Sequence, residues 1–370
     1  MSTGIYLQLR IGKTGPSGSL DVASKELINA LQSAEVILSE DGKDGFELVF
    51  AVGQNNAANV FTFEKLQKEI AQFNRVIISV IFGVIPKVLM DGVIVLQQFN
   101  PSSEPGKSTL TVKGEGLDVL MDLIQIQCPP DKWKGQSDDT IVSTIIGEYS
   151  KYKLTAKVAS GETKDTRVQT NMTDLEFIKK LAEDNGFVFY IEPDNSGSNI
   201  AYFGPAKRAG VQPQKPLLFN MAAHSNVKKI SLSADALKTK TLEGNVQDPE
   251  TGDNTEVPKS DQKQESKKFG SVSLVRKFKV QGDSSGKKIE DIYSKALAQA
   301  NEEAKKPIII TGELDTIRYG DVLRARQIVK LQGLGEAFND EYYVKKVQHT
   351  ISRGSYNQNF TLRCKTPEEK

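Results

Sequence analysis

Apolar residues recur at every second position in many short runs, and this spacing limits the folds open to the chain. Such runs extend from Ile5 to Ile11, from Phe46 to Val52 and from Val76 to Phe82. At least six of them lie between Gly4 and Gly114, and glycine, proline, asparagine and serine clusters separate them. A period of two is typical of a β-strand with one buried face. The first third of the chain is therefore predicted to form an antiparallel barrel or sandwich.

Helical spacing of three and four residues begins after Gly116 and continues to about Tyr149. Leu117, Leu120, Met121 and Ile124 share one helical face, which predicts a helix that ends before Pro129 and Pro130. A second helix is predicted from a face that extends from Ile141 to Tyr149. Asp138 and Asp139 precede it and suit a helix N-terminus.

A third helix has the clearest start and stop signals in the sequence. Thr173 and Glu176 have the spacing of a capping box, and Met172 can pack on Phe177. Gly186 follows Asn185, where a C-terminal glycine is expected. Strand spacing resumes after it, from Phe187 to Ile191.

The C-terminal third combines a polar segment with further strand signals. Only three apolar residues occur between Lys238 and Lys268, and 249–268 is predicted to be a mobile loop or linker. A fourth helix is predicted over 289–304. Strand signals follow at Ile308–Ile310, Val322–Leu323, Tyr343–Val347 and Asn359–Leu362.

Charge and apolar content exclude several classes of protein. The formal net charge of the 370 residues is +1, which predicts no nucleic-acid contact because phosphate binding needs a basic excess. The longest apolar run, Val76–Ile85, is shorter than the roughly 20 residues of a membrane span. The N-terminus lacks signal-peptide features, so synthesis in the cytosol is expected. Cys128 and Cys364 are the only cysteines and are expected to be buried free thiols.

Two glycine motifs superficially resemble nucleotide-binding loops. Gly12–Thr14 follows a strand, but Leu7 occupies the position where a phosphate-binding loop needs its first glycine. Gly114 and Gly116 precede a predicted helix, but Val119 replaces the third glycine of a dinucleotide motif. A polar hairpin and a tight turn are the simpler interpretations, and no cofactor is predicted.

Side chains that carry catalysis are scarce. His224 and His349 are the only histidines, and neither has a carboxylate or cysteine at ligand spacing. The single Trp133 is interpreted as a packing anchor. The sequence therefore assigns no catalytic, cofactor-binding or metal-ligating residue, although a hidden pair of carboxylates among the 47 acidic residues stays possible.

Three passages resemble the phage late control protein D family. They are MDGVIVLQQFNPSSEPGKSTLTVKGEGLDVLMDLI at Met90–Ile124, QTNMTDLEFIKKLAEDNGFVFYIE at Gln169–Glu192, and a C-terminal pair. That pair is IRYGDVLRARQIV at Ile317–Val329 and EYYVKKVQHTISRGSYNQNFTLR at Glu341–Arg363. The Gln169–Glu192 passage is also similar to the N-terminal hub region of VgrG proteins. The resemblance covers almost the whole chain and rests on order and spacing.

The resemblance implies a baseplate hub of a contractile tail, a mainly β fold with two tube-protein-like β-barrels and an α/β region. Residues 1–114 are expected to form the first barrel and 115–203 the α/β region. The second barrel is expected to combine 204–248 with 307–366, and 249–306 is an insertion with the polar loop and one helix. VgrG continues into an oligonucleotide-binding-like domain and a β needle; neither is expected within these 370 residues, so the spike is expected to be a separate polypeptide.

The resemblance also implies a homotrimer that joins a hexameric tail tube to a separate spike protein, beside other baseplate proteins. The resemblance is compatible with a phage tail, a tailocin or another injection system. The alternative function is a baseplate-associated cell-wall hydrolase. A third class, a monomeric ligand-binding module, predicts no self-association.

Overall fold

The computed structural model describes residues 5–15, 20–52, 66–104, 106–161, 163, 167–194, 197–206, 213–234, 240–243, 245–247, 254–256, 276–279 and 308–365. The predicted helix over 289–304 and most of the predicted linker over 249–268 lie outside these ranges. Both remain predictions, as do the domain limits.

Strands dominate the described residues, in agreement with the mainly β prediction. The strands are β1 Ile5–Lys13, β2 Asp21–Val22, β3 Leu31–Ser39, β4 Gly45–Ala51, β5 Asn74–Phe82, β6 Ile85–Asn100, β7 Thr109–Gly116, β8 Gln125–Ile126, β9 Leu154–Val158, β10 Met172–Thr173 and β11 Val188–Pro193. They continue with β12 Asn199–Gly204, β13 Gln214–Leu218, β14 Val227–Ala234, β15 Lys240–Glu243, β16 Asn245–Gln247, β17 Asn254–Glu256, β18 Arg276–Lys279, β19 Ile308–Leu314, β20 Ile328–Gln332, β21 Asp340–Ser352 and β22 Ser355–Cys364.

Four α-helices lie wholly within the described ranges, and residues 66–69 are also helical. They are α1 Lys25–Ala30, α2 Asp138–Glu148, α3 Asp174–Asp184 and α4 Thr316–Tyr319. Three-residue-per-turn helices occupy Leu117–Met121, Ser150–Tyr152 and Ala222–His224.

Within the described ranges, thirteen strands form one large sheet that includes both predicted barrel regions. Eleven of them follow the order β14-β19-β22-β21-β3-β4-β7-β6-β5-β1-β2, while β20 pairs with β21 and β13 with β20. Every pair along the main path is antiparallel. The two regions meet where β21 pairs with β3 over seven aligned residues, from Lys346 opposite Ser39 to Ser352 opposite Ser33. One apolar core contains residues from both regions.

The same strand order occurs twice in this sheet. Chain order gives β3, β4, β6 and β7 in the first unit, and their spatial order is first, second, fourth, third. In the second unit the chain order is β14, β19, β21 and β22, and the spatial order is again first, second, fourth, third. The third strand of the second unit, β21, therefore pairs with the first strand of the first unit, β3. The two units follow each other head to tail.

A close glycine–phenylalanine contact marks the same strand pair in both units. Phe46 of β4 lies opposite Gly114 of β7, and Gly312 of β19 lies opposite Phe360 of β22. A Cβ on Gly114 would lie 2.2 Å from the Phe46 ring, and one on Gly312 would lie 2.3 Å from the Phe360 ring. In each unit, the second and fourth strands therefore pack closely because a phenylalanine ring of one strand lies directly on a glycine of the other.

The α/β region has its own core, with α2 and α3 beside a sheet of order β11-β12-β9. The capping box of the third predicted helix is confirmed, because Thr173 Oγ1 accepts from Glu176 N and Glu176 Oε2 accepts from Thr173 N. Gly186 follows this helix with a φ of +66°, as its predicted role requires. A bidentate ion pair links Arg167 to Asp138 of α2, and Arg167 also contacts Asp184 of α3.

Three local predictions need correction. The helix predicted over 117–124 is a single tight turn, Leu117–Met121, and Ile124 is 71% exposed beyond it. The strand signal at Val322–Leu323 reflects burial alone, since both side chains enter the core from an irregular segment. Helix α1 was not predicted; its cap is Ser24, whose hydroxyl accepts from Leu27 N.

Candidate functional site

Polar side chains cover one face of eight adjacent strands, from β14 to β6. In these strands alternate residues mostly enter the main core, so the residues between them point to the opposite side. Cross-strand partners share a face, so the register aligns these residues in rows. We call this surface the polar face, and it has four rows. The first row is Lys229, Glu313, Asn359, Gln348 and Ile37, and the second is Asn357, Thr350, Glu35, Glu47, Lys113 and Leu96. The third row is Ser352, Ser33, Val49, Thr111 and Gln98, and the fourth is Ser231, Thr311, Thr361, Lys346 and Ser39.

Hydroxyl and amide side chains outnumber charged ones on the polar face, where lysines and glutamates balance. Glu35 lies directly opposite Glu47, and the ammonium of Lys113 lies 2.7 Å from Glu47 Oε2. This hydrogen bond, with the nearby carboxylate charges, raises the pKa of Lys113. The polar face therefore carries little net charge, which disfavours tight binding of a polyanion.

Next to the polar face, at β5 and the first half of β6, the α/β region packs on the side of the sheet opposite the main core. Arg75 makes a bidentate pair with Asp91, at 2.8 and 2.6 Å, and both side chains are buried. Asn199 of β12 donates to the same carboxylate at 2.9 Å. Val93 of β6 belongs to the core of the α/β region. These contacts fix the α/β region against the sheet.

A second buried joint connects three parts of the chain. Arg326 donates to both carboxylate oxygens of Asp44, at 2.8 and 2.7 Å, and to the carbonyl of Ser39 at 2.6 Å. The guanidinium also lies 4.7 Å from the ring of Tyr190 in β11. Burial alone would lower the pKa of Arg326, but the Asp44 charge and hydrogen bonds raise it above its usual value. The β3–β4 turn, the segment after α4 and the α/β region therefore meet at one charged contact.

The structure separates the two histidines. His224 is exposed, whereas His349 is fully buried in β21 with Nδ1 2.9 Å from the Tyr356 hydroxyl. Burial, with a smaller contribution from Arg324, lowers the pKa of His349 to about 3, so the ring is neutral near pH 7. No group of three or more His, Cys, Asp or Glu side chains within the described ranges could hold a metal ion. That neither histidine is catalytic remains a prediction.

The other residues singled out from sequence have structural positions. Gly12 lies near the end of strand β1, which pairs with β2. Gly114 and Gly116 belong to β7. Trp133 is 2% exposed and its ring centroid lies 6.4 Å from that of Phe177, as expected of a packing anchor. Local spacing in the sequence does not bring the residues of the polar face together. Their alternation with core residues was a visible signal, but strand order is needed to join them.

The described helices include none that is long and apolar enough to cross a membrane.

Comparison with known proteins gives one family and several related folds. The family model of the phage tail baseplate hub (GPD) matches residues 125–355, which is more than half of the chain. A search of curated proteins gave no match.

Solved structures share the fold at low sequence identity. A tail protein from Neisseria meningitidis MC58 is 12% identical with a TM-score of 0.65, and the alignment covers 98% of this chain and 96% of that one. A 43 kDa tail protein of prophage MuSo2 from Shewanella oneidensis is also 12% identical, with a TM-score of 0.68 and 99% of both chains covered. A chain of the Francisella PdpA–VgrG complex is 11% identical with a TM-score of 0.60; 98% of this chain aligns with 54% of it.

Proposed function

Because this chain belongs to the phage tail baseplate hub family, we propose that it is a structural, trimeric adaptor between a sixfold tail tube and a separate central spike. The repeated strand order carries this proposal. Two equivalent four-strand units per chain give six equivalent units in a trimer, so each tube subunit meets the same kind of partner. The chain would be made in the bacterial cytoplasm and assembled into a phage tail or a phage-like injection system.

The polar face supports this role as the wall of a central channel. Hydroxyl and amide groups keep such a wall wet, while the balanced lysines and glutamates avoid a strong field along it. The buried ion pairs of Arg75 with Asp91 and of Arg326 with Asp44 hold the α/β region on the sheet. In this position the α/β region contacts other baseplate proteins.

The alternative function is a cell-wall hydrolase. Asp44, Asp91 and Asp138 are buried carboxylates that each pair with an arginine, so their oxygens are already engaged in structural contacts. A peptidoglycan-digestion assay separates the two functions, since a structural hub releases no soluble fragments.

The mass of the purified chain in solution tests the adaptor. Light scattering at several concentrations should approach three times 40.7 kDa, and the particles should cap purified tubes of the matching tube protein. A concentration-independent monomer that leaves tube ends bare would contradict the proposal. The digestion assay on the same sample distinguishes a failed hub from a hydrolase.

A further inference from the structure

Strand β9 forms an outer edge of the α/β region. The small sheet there has the order β11-β12-β9, so β9 has a neighbouring strand on one side only. Asn199 N donates to Lys153 O across the β9–β12 pair, and backbone groups of successive strand residues point to alternate edges. The next residues whose N–H and C=O groups point away from β12 are therefore Leu154, Ala156 and Val158. Among the described residues these outward groups have no hydrogen-bond partner.

Lysines dominate the exposed side of this edge. Lys153 and Lys157 are exposed on one face of β9 with the exposed Thr155 between them, and Lys151 is exposed just before the strand. Within the described ranges none of the three lysines forms an ion pair, whereas Lys113 of the polar face pairs with a glutamate. The edge therefore carries three positive charges without a carboxylate at contact distance.

The other face of β9 is apolar and only partly covered. Leu154 is buried in the core of the α/β region beside α2, whereas Ala156 and Val158 are half-buried at its margin. Alternate positions of a strand point to opposite faces, so the edge has lysines on one side and an apolar margin on the other. A strand that pairs here needs carboxylates beside the lysines and apolar side chains over the margin.

We infer that β9 accepts an extended acidic strand of another baseplate protein, which rests on the proposed hub function for the source of that strand. Lys153 and Lys157 are four positions apart, roughly 13 Å along the strand. The matching strand has Asp or Glu at two positions four residues apart, a small polar residue opposite Thr155, and apolar residues at the alternate positions. Backbone pairing supplies affinity, and the lysines select for negative charge.

The same lysines explain why this edge does not pair indiscriminately. Lysine on an exposed strand edge discourages edge-to-edge aggregation, because a neutral apolar strand must bury the charge and a basic strand is repelled. An acidic strand meets neither obstacle. Protection of the edge and selection of its partner therefore come from the same side chains.

Peptides test this pairing on the purified chain, independently of trimer formation. The probe is a capped, fluorescently labelled Glu-Val-Thr-Val-Glu peptide, whose palindromic sequence matches β9 in either strand direction. The control peptide is Lys-Val-Thr-Val-Lys. Titration to millimolar concentration at low ionic strength should give a saturable rise in anisotropy for the acidic peptide only. Hydrogen exchange of segment 151–159 should slow when the acidic peptide is bound.

Two variants locate the site. Lys153→Glu with Lys157→Glu exchanges two attractions for two repulsions, and should weaken the acidic peptide by about tenfold or more and admit the basic one. Ala156→Pro removes an outward N–H but keeps the bonds to β12, which an edge strand tolerates, so it should also weaken binding. The matched control, Lys25→Glu with Lys180→Glu, changes net charge equally at exposed lysines outside β9 and should leave the affinity within about twofold.

Each variant is first shown by circular dichroism to keep the unfolding midpoint of the unmodified protein, and the charge reversal alone decides if Ala156→Pro does not fold. Equal binding of both peptides, acidic binding that survives the charge reversal, or no binding by the unmodified chain would overturn the inference. Slow exchange of segment 151–159 before any peptide is added would also overturn it, because another copy would then cover β9. The mass and tube-capping measurements are separate, so a hub without this contact is distinguishable from a chain that is not a hub.

Discussion

Replacing Gly114 with alanine should destabilise the large sheet. A Cβ at this position would lie 2.2 Å from two carbons of the Phe46 ring and 2.5 Å from the carbonyl oxygen of Val93. Contacts this short cannot be kept, so the ring, the backbone of β6 or both must move. Overpacking of a filled core costs about 1–3 kcal/mol. The upper part of that range is expected here because one of the two obstacles is backbone.

Guanidinium unfolding followed by far-UV circular dichroism measures this cost as a lower midpoint. Gly42→Ala is the matched control, since it lies in the β3–β4 turn and its nearest neighbour would be 3.8 Å away. The control should change stability by less than about 0.5 kcal/mol. Adding Phe46→Leu to Gly114→Ala should recover part of the loss, because the shorter side chain removes one obstacle. Equal midpoints for Gly114→Ala and Gly42→Ala would refute the close aromatic contact.

Three further predictions concern the buried charges and the α/β region. Asp44→Ala should cost about 3–5 kcal/mol of unfolding free energy, because it leaves the buried Arg326 guanidinium unpaired, whereas Lys43→Ala at an exposed pair should cost less than about 1 kcal/mol. Thr173→Ala removes a helix cap and should cost about 1 kcal/mol in the unfolding of the α/β region, followed by Trp133 fluorescence. The pKa of His349 is lowered in the folded protein, so between about pH 3 and pH 6.5 the unfolded chain binds a proton that the folded chain does not. Stability is therefore full above about pH 6.5 and falls as the pH drops toward 3. His349→Gln should weaken this fall, and an unchanged pH profile of unfolding would contradict the prediction.

Local sequence signals predicted strands and capped helices well where the decisive contacts are near in sequence. The period of two identified β1, β4 and β5, and the Thr173–Glu176 spacing identified the start of α3. The helix expected over 117–124 failed because Leu117, Leu120 and Met121 are buried by tertiary packing, which a single tight turn already satisfies. Burial without regular structure likewise produced the false strand signal at Val322–Leu323.

Strand order could not be predicted, because it depends on contacts between distant residues. The joint between β3 and β21 aligns Ser39 with Lys346, more than 300 positions apart. The charged joints are equally non-local, as in the pairing of Asp44 with Arg326. The polar face exists only once these contacts are made, so the sequence showed its residues as separate outward-facing positions. The trimer is expected from the family resemblance and remains a proposal, which the repeated strand order supports.

Electron microscopy of the purified chain mixed with its matching tube protein tests the central claim most directly. Class averages viewed along the tube axis should show closed rings of three copies with six similar lobes around an open channel, seated on tube ends. Free monomers beside uncapped tubes, or rings without six similar lobes, would contradict the account.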